Sequence, residues 1–140
     1  MADESPLTTT PVTDALVQVS FAVLDVLTRS AAELDLSVTQ LRLIGILRDR
    51  SPSMAALADF LGLDRSSVSG LIDRAEKRGL VARRTSADDA RVTLIDLSPA
   101  GRELGERLGV VVSSRMDTLL VGVPPVEQER FVTLAASILG

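Results

Sequence analysis

Between Asp64 and Arg91 the chain gathers seven cations and five anions, a local charge of +2 in a molecule whose total is −4. The side chains there form a particular set. Arg65, Ser66, Ser67 and Ser69 fall close together, Arg74 follows on the same segment, and Arg83, Arg84 and Arg91 stand farther along. Serine hydroxyls are short groups that donate or accept, suited to close approach to bases or phosphates without dictating one base. An arginine reaches the O6 and N7 of guanine with two parallel N–H donors, or lies in a narrow minor groove. The chemistry is that of double-stranded DNA recognition. Any one of these arginines is explained equally well as a solvated charge; the cluster is not.

Such groups work only if a rigid frame presents them. Ala58, Gly62, Val68 and Leu71 have the spacing A-x3-G-x5-V-x2-L. A small residue where two short helices cross, a turn residue that tolerates positive φ, and two apolar residues one turn apart make a helix-turn-helix. Asp64 is placed to cap the second helix, and Gly79 after Lys77 and Arg78 to stop it. Two strand-length apolar runs follow, Leu80 to Arg84 and Arg91 to Leu97, joined by Thr85-Ser86-Ala87-Asp88-Asp89-Ala90. Val92, Leu94 and Leu97 read as the packed face, with Ile95 breaking the alternation. A helix-turn-helix and then a hairpin with arginines at both ends of its loop is a winged helix.

The stretch LADFLGLDRSSVSGLIDRAEKRGLVARR, the wing residues Asp89-Ala90-Arg91 and the exit Leu97-Ser98-Pro99-Ala100-Gly101 resemble the winged-helix core of the MarR family of bacterial transcriptional regulators. The order of flanking helices agrees, so the resemblance covers nearly everything after about residue 11. It implies an obligate homodimer that binds pseudo-palindromic operator DNA, commonly as a repressor, and often releases it when a small aromatic acid binds. It implies further that Arg91 is the wing-tip arginine, that Asp89 is the carboxylate helping to hold the wing, and that Ser66, Ser67 and Ser69 face the groove. Gly70 departs from the pattern, since many relatives carry a larger polar or basic side chain there. Against alanine it also costs roughly 1 kcal/mol of helix stability.

The rest of the chain supplies helices. Residues 1–10 are small, polar and Pro-containing, and read as a disordered tail. From Pro11 the positions Val12, Leu16, Val19, Val23 and Val26 form an amphipathic helix to about Leu34. Ser37-Val38-Thr39-Gln40 is a capping box opening a second helix to about Asp49, with Gly45 in it attributed to close helix packing. Ser51-Pro52 turns the chain and Ser53 caps the next helix. Ser98-Pro99 starts a helix that carries Leu104, Leu108, Val111, Val112, Met116 and Leu119, and Pro124-Pro125 begins the last one with Phe131, Leu134 and Ile138.

The fold class expected is therefore mainly α with a small two- to three-stranded antiparallel wing. Residues 37–97 form the winged helix-turn-helix, and residues 11–36 and 98–140 a helical dimerisation region. Val12, Leu16, Val19, Leu108, Val112, Leu134 and Ile138 are the interface candidates, because three long apolar helices exceed what one small winged helix can cover. A two-fold dimer sets its recognition helices about one DNA turn apart, roughly 34 Å.

Several classes are excluded or disfavoured. With no Cys and no His, disulfides, thiol redox chemistry and ordinary zinc or iron sites have no ligands, and neither a metal nor another cofactor is expected. No glycine-rich phosphate loop, paired nucleophile and base, or oxyanion donor is recognisable, so the chain is not expected to be an enzyme. Three Phe and no Trp or Tyr leave few platforms for stacking single-stranded bases. No apolar run approaches the roughly 18–20 residues that span a bilayer, and the acidic start is unlike a signal peptide, so a cytoplasmic protein with no membrane partner is expected. The acidic total charge argues for selective DNA binding, and the resemblance implies tuning by a small aromatic or apolar acid. The alternative is a winged helix that has lost DNA binding and contacts proteins.

Overall fold

A computed structural model describes residues 9–140. Six helices and two strands follow in the order α1 (Pro11–Glu33), α2 (Val38–Leu47), α3 (Met54–Leu61), α4 (Arg65–Lys77), β1 (Val81–Thr85), β2 (Thr93–Leu97), α5 (Pro99–Leu119) and α6 (Pro125–Leu139). The tail expected over residues 1–10 lies, through residue 8, outside the described residues.

Local chemistry sets the boundaries. Thr10, Ser53, Asp64 and Ser98 each accept a first-turn N–H through the side chain, and Ser37 with Gln40 closes a reciprocal capping box. Gly62 (φ 64°) and Gly79 (φ 72°) adopt the left-handed conformation that ends α3 and α4.

β1 and β2 pair antiparallel from Val81↔Leu97 to Thr85↔Thr93; relative to the sequence boundaries β1 is shifted one residue later and β2 starts two residues later. Ser53 adds a single bridge to Leu94, and the Ile95 N–H donates to the Pro52 carbonyl at 2.9 Å. The wing thus has two full strands and a one-residue third. Its packed face corrects the sequence reading. Ile95 and Leu97 enter the core, whereas Val92 precedes the strand and Leu94 is only half-buried. The pairing to Ser53 and Pro52 sets the parity of β2, and apolar alternation alone did not reveal it.

The core lies where α2, α3, α4 and the wing meet, with Leu43, Leu47, Leu57, Val68, Ile72 and Ile95 fully enclosed. α5 crosses back over it and packs on α1 and α2. Leu108, expected at a subunit interface, is 5% exposed and belongs to this core, and Val112 packs against it half-buried. Only the outward side of α5 is open, with Val110 among its exposed residues.

The ends of the chain behave differently. The first eleven residues of α1 are all exposed, including Val12, Leu16, Val19 and Phe21, whereas Val26, Ser30 and Ala31 are buried. α6 buries none of its residues, leaving Val126, Phe131, Leu134 and Ile138 open. α1 also reaches a mean hydropathy of 1.4 over an 18-residue window with few charges. By length and composition it is apolar enough to cross a membrane, which corrects the sequence expectation. Thr13, Asp14, Gln18 and Asp25 interrupt its apolar run without lowering the average below that level.

Candidate nucleic-acid interface

α4 presents the residues singled out in the sequence. Val68, Leu71, Ile72 and Ala75 form its buried face. At about 100° per residue, Ser66, Gly70, Asp73 and Lys77 stand opposite that face, with Arg65 and Ser69 on one flank and Ser67 and Arg74 on the other. Asp64 fixes the start of the helix: its Oδ1 accepts the Ser67 N–H at 2.7 Å and the Ser66 hydroxyl at 2.9 Å. These bonds, that from Ser67 first, hold its carboxyl below the usual range.

A concavity opens on each side of α4. On the wing side, Arg65 and Ser69 face Arg91, Val92 and Thr93 of the wing, across a floor of Ser53, Met54 and Ala55. On the other side, Ser66, Ser67, Gly70 and Arg74 face Ser37, Thr39 and Gln40 at the start of α2. These three α2 residues and Thr93 were not among the sequence candidates. The capping box marked where α2 begins, but not that its first turn stands beside α4.

The arginines divide into two groups. Arg91 is 90% exposed at the wing and bound to Asp89 through its backbone N–H (3.0 Å), Nε (3.1 Å) and Nη2 (3.2 Å). Asp89 is thereby held ionised below the usual carboxylate range, chiefly by the Arg91 guanidinium. Arg83 turns back onto α4, with Nη2 2.6 Å from Asp73 and Nη1 3.4 Å from Glu76. Arg84 pairs with Asp96 across the wing, and the Ser51 hydroxyl donates to that same carboxylate. The hydroxyl is the main cause that lowers the Asp96 carboxyl, with Arg84 behind it. Arg83 thus fastens the wing to α4, Arg84 braces β1 against β2, and Ser51 ties the same Asp96 to the α2–α3 turn. Arg65 and Arg74 form no ion pair among the described residues.

A further cavity, of about 430 Å³, lies between α1, α2 and α5. Leu27, Leu41, Ile44, Leu97, Leu108 and Val112 make its walls apolar, and Arg48, Arg102 and Glu106 supply its charge. Gly45, Gly105 and Gly109 also line it. A Cβ on Gly45 would meet nothing within 4 Å, so this glycine faces open space and does not mediate the close packing expected for it. The volume falls in the usual range for small-molecule sites.

Residues 34–92 match the sequence model of the MarR family, from the end of α1 to the start of β2. Over this segment the chain is similar to the MarR family. Solved structures extend the likeness to the flanking helices. Wild-type MarR from E. coli in its apo form superposes with a TM-score of 0.81 at 19% identity, over 95% of this chain and 99% of that one. A MarR-family regulator from Rhodococcus sp. RHA1 gives 0.79 at 24%, over 94% and 96%. BpsR of Bordetella bronchiseptica, whose DNA binding is regulated by 6-hydroxynicotinic acid, gives 0.76 at 23%, over 94% and 100%. At these identities the likeness carries the fold, helices α1, α5 and α6 included.

Proposed function

We propose that the chain is a homodimeric, sequence-selective regulator of transcription that binds double-stranded operator DNA in the cytoplasm. The observation that carries this reading is α4 itself. Its outer side and flanks bear Ser66, Ser67 and Ser69 between Arg65 and Arg74, which form no ion pair among the described residues, with a concavity on either flank and Arg91 held beside it on the wing. A helix so placed enters a major groove while the wing reaches the neighbouring minor groove or backbone. Arg83 serves the interface by holding the wing to α4, Arg84 by bracing its two strands and Asp89 by holding Arg91.

Residues 37–97 act as the DNA-binding unit, and residues 11–36 with 98–140 join two copies. The exposed apolar faces of α1 and α6, with Val12, Leu16, Val19, Leu134 and Ile138, favour that division. Two recognition helices then meet half-sites of a pseudo-palindrome. The regulator is a repressor, released when a small apolar or aromatic acid fills the cavity between α1, α2 and α5. Arg48 and Arg102 at that cavity suit a carboxylate, and 6-hydroxynicotinic acid, which regulates DNA binding by the structurally similar BpsR, is the first probe to try.

Replacement of Arg91 tests the interface. Arg91→Ala removes one cation per chain from the wing and touches no buried group, so stability and oligomeric state stay unchanged. Operator affinity is expected to fall about tenfold, with a shallower dependence on salt if the contact is to phosphate. Fluorescence-anisotropy titration over a salt series reads both quantities. Unchanged affinity at physiological salt removes Arg91 and the wing from the interface.

A further inference from the structure

Gly70 is the residue on α4 with no explanation so far. Glycine is the poorest helix former after proline, and this one sits inside the first two turns of the helix. Its φ is not positive, so the backbone does not demand it. A Cβ built there would approach one heavy atom within 4 Å, the Nη1 of Arg74, at 3.2 Å. Among the described residues no other chain segment comes within 4 Å of that Cβ.

The position of that contact matters. Gly70 and Arg74 are four residues apart, hence neighbours one turn apart on the helix surface. Gly70 lies on the side of α4 opposite its buried face, whereas Arg74 roots on the flank toward α2. The Arg74 head therefore reaches back over Gly70 toward the outer side, at the edge of the concavity that faces α2, and the space it uses is the one a side chain at position 70 would fill. Long helical side chains already run back toward the preceding turn, so this placement needs no unusual conformation.

We infer that Gly70 is a positioning residue that lays Arg74 across the outer side of α4 and so makes Arg74 a determinant of which base pair the recognition helix accepts. The inference rests on the DNA-binding reading above. An arginine on the flank reaches phosphate; one drawn across the helix reaches the groove floor, where a guanidinium prefers guanine.

The test is a double-mutant cycle on the operator and its single-base variants, using Gly70→Leu, Arg74→Ala and the double variant. Leucine favours the helix, so thermal unfolding verifies that the fold is intact, and Gly70→Met serves as a second probe of the same space. Each single change is expected to weaken binding roughly 10- to 100-fold, and the double variant no more than Arg74→Ala alone. Both singles should lose the preference for guanine at one and the same operator position. If Gly70→Leu weakens binding by the same factor with Arg74 already removed, the leucine strikes the duplex directly and the inference is wrong. A uniform loss over all base variants in Arg74→Ala also overturns it, since that marks a phosphate contact. Wild-type protein that binds no duplex removes the DNA-binding reading itself, an outcome distinct from either.

Discussion

Gly101→Ala is expected to destabilise the protein by about 3 kcal/mol, although alanine is ordinarily the better helix residue. Gly101 occupies the first turn of α5, where its N–H donates to the Ser98 cap at 3.0 Å. Ser98 is itself tied to the end of α4 and the entry to β1, its N–H donating to the Leu80 carbonyl at 3.0 Å and its hydroxyl to the Gly79 carbonyl. These bonds draw the start of α5 against Leu80. A Cβ at position 101 would lie 2.0 Å from the Leu80 carbonyl oxygen and 3.1 Å from Leu97 Cδ2. Backbone cannot swing aside as a side chain can, so α5 must separate from the wing or the caps must break. For a chain of this size the melting temperature should fall by about 10 °C, and an unchanged or higher one would contradict the close approach. Because this seam joins α5 to the winged helix, the proposed function predicts that the variant also binds operator more weakly at temperatures where it remains folded.

The second large effect concerns assembly. Leu16 on α1 and Leu134 on α6 are about half exposed, on helices whose neighbouring apolar residues are also uncovered. Leu16→Glu combined with Leu134→Glu places charges on both faces without disturbing the core of a single chain. The variant is expected to run as a folded monomer in light scattering. It should also lose at least about 100-fold in operator affinity, because the second half-site no longer benefits from tethering to the first. A stable monomer with full affinity would show that one winged helix suffices. Leu108 is unsuited to this test: a charge there unfolds the chain, since its side chain lies in the monomer core.

What the sequence disclosed, and what it hid, divides along the range of the interactions. Caps, turn glycines and the spacing of Ala58, Gly62, Val68 and Leu71 are local signals, and α2, α3, α4 and α5 begin where those signals put them. The inward parity of β2 depends on Ser53 and Pro52, some forty residues earlier. The reason for Gly101 is a carbonyl twenty-one residues away, and the reason assumed for Gly45 was absent. For Arg83 and Arg84, net charge gave a correct sign and an incomplete role, since carboxylates that neutralise them come from α4 and β2. The start of α2 beside α4, and the cavity between α1, α2 and α5, arise from packing that no local pattern encodes.

The proposed function requires α4 and the wing to recognise a particular duplex. An electrophoretic mobility-shift titration of the purified protein on the DNA upstream of its own coding sequence, with excess non-specific competitor and a salt series, tests it most directly. The expected result is a discrete complex that survives the competitor, contains two chains per duplex and weakens with salt. If the upstream DNA gives no shift, the same protein is applied to fragments of the whole genome. Failure to enrich any sequence there would contradict the claim and leave the winged helix as a surface for binding protein.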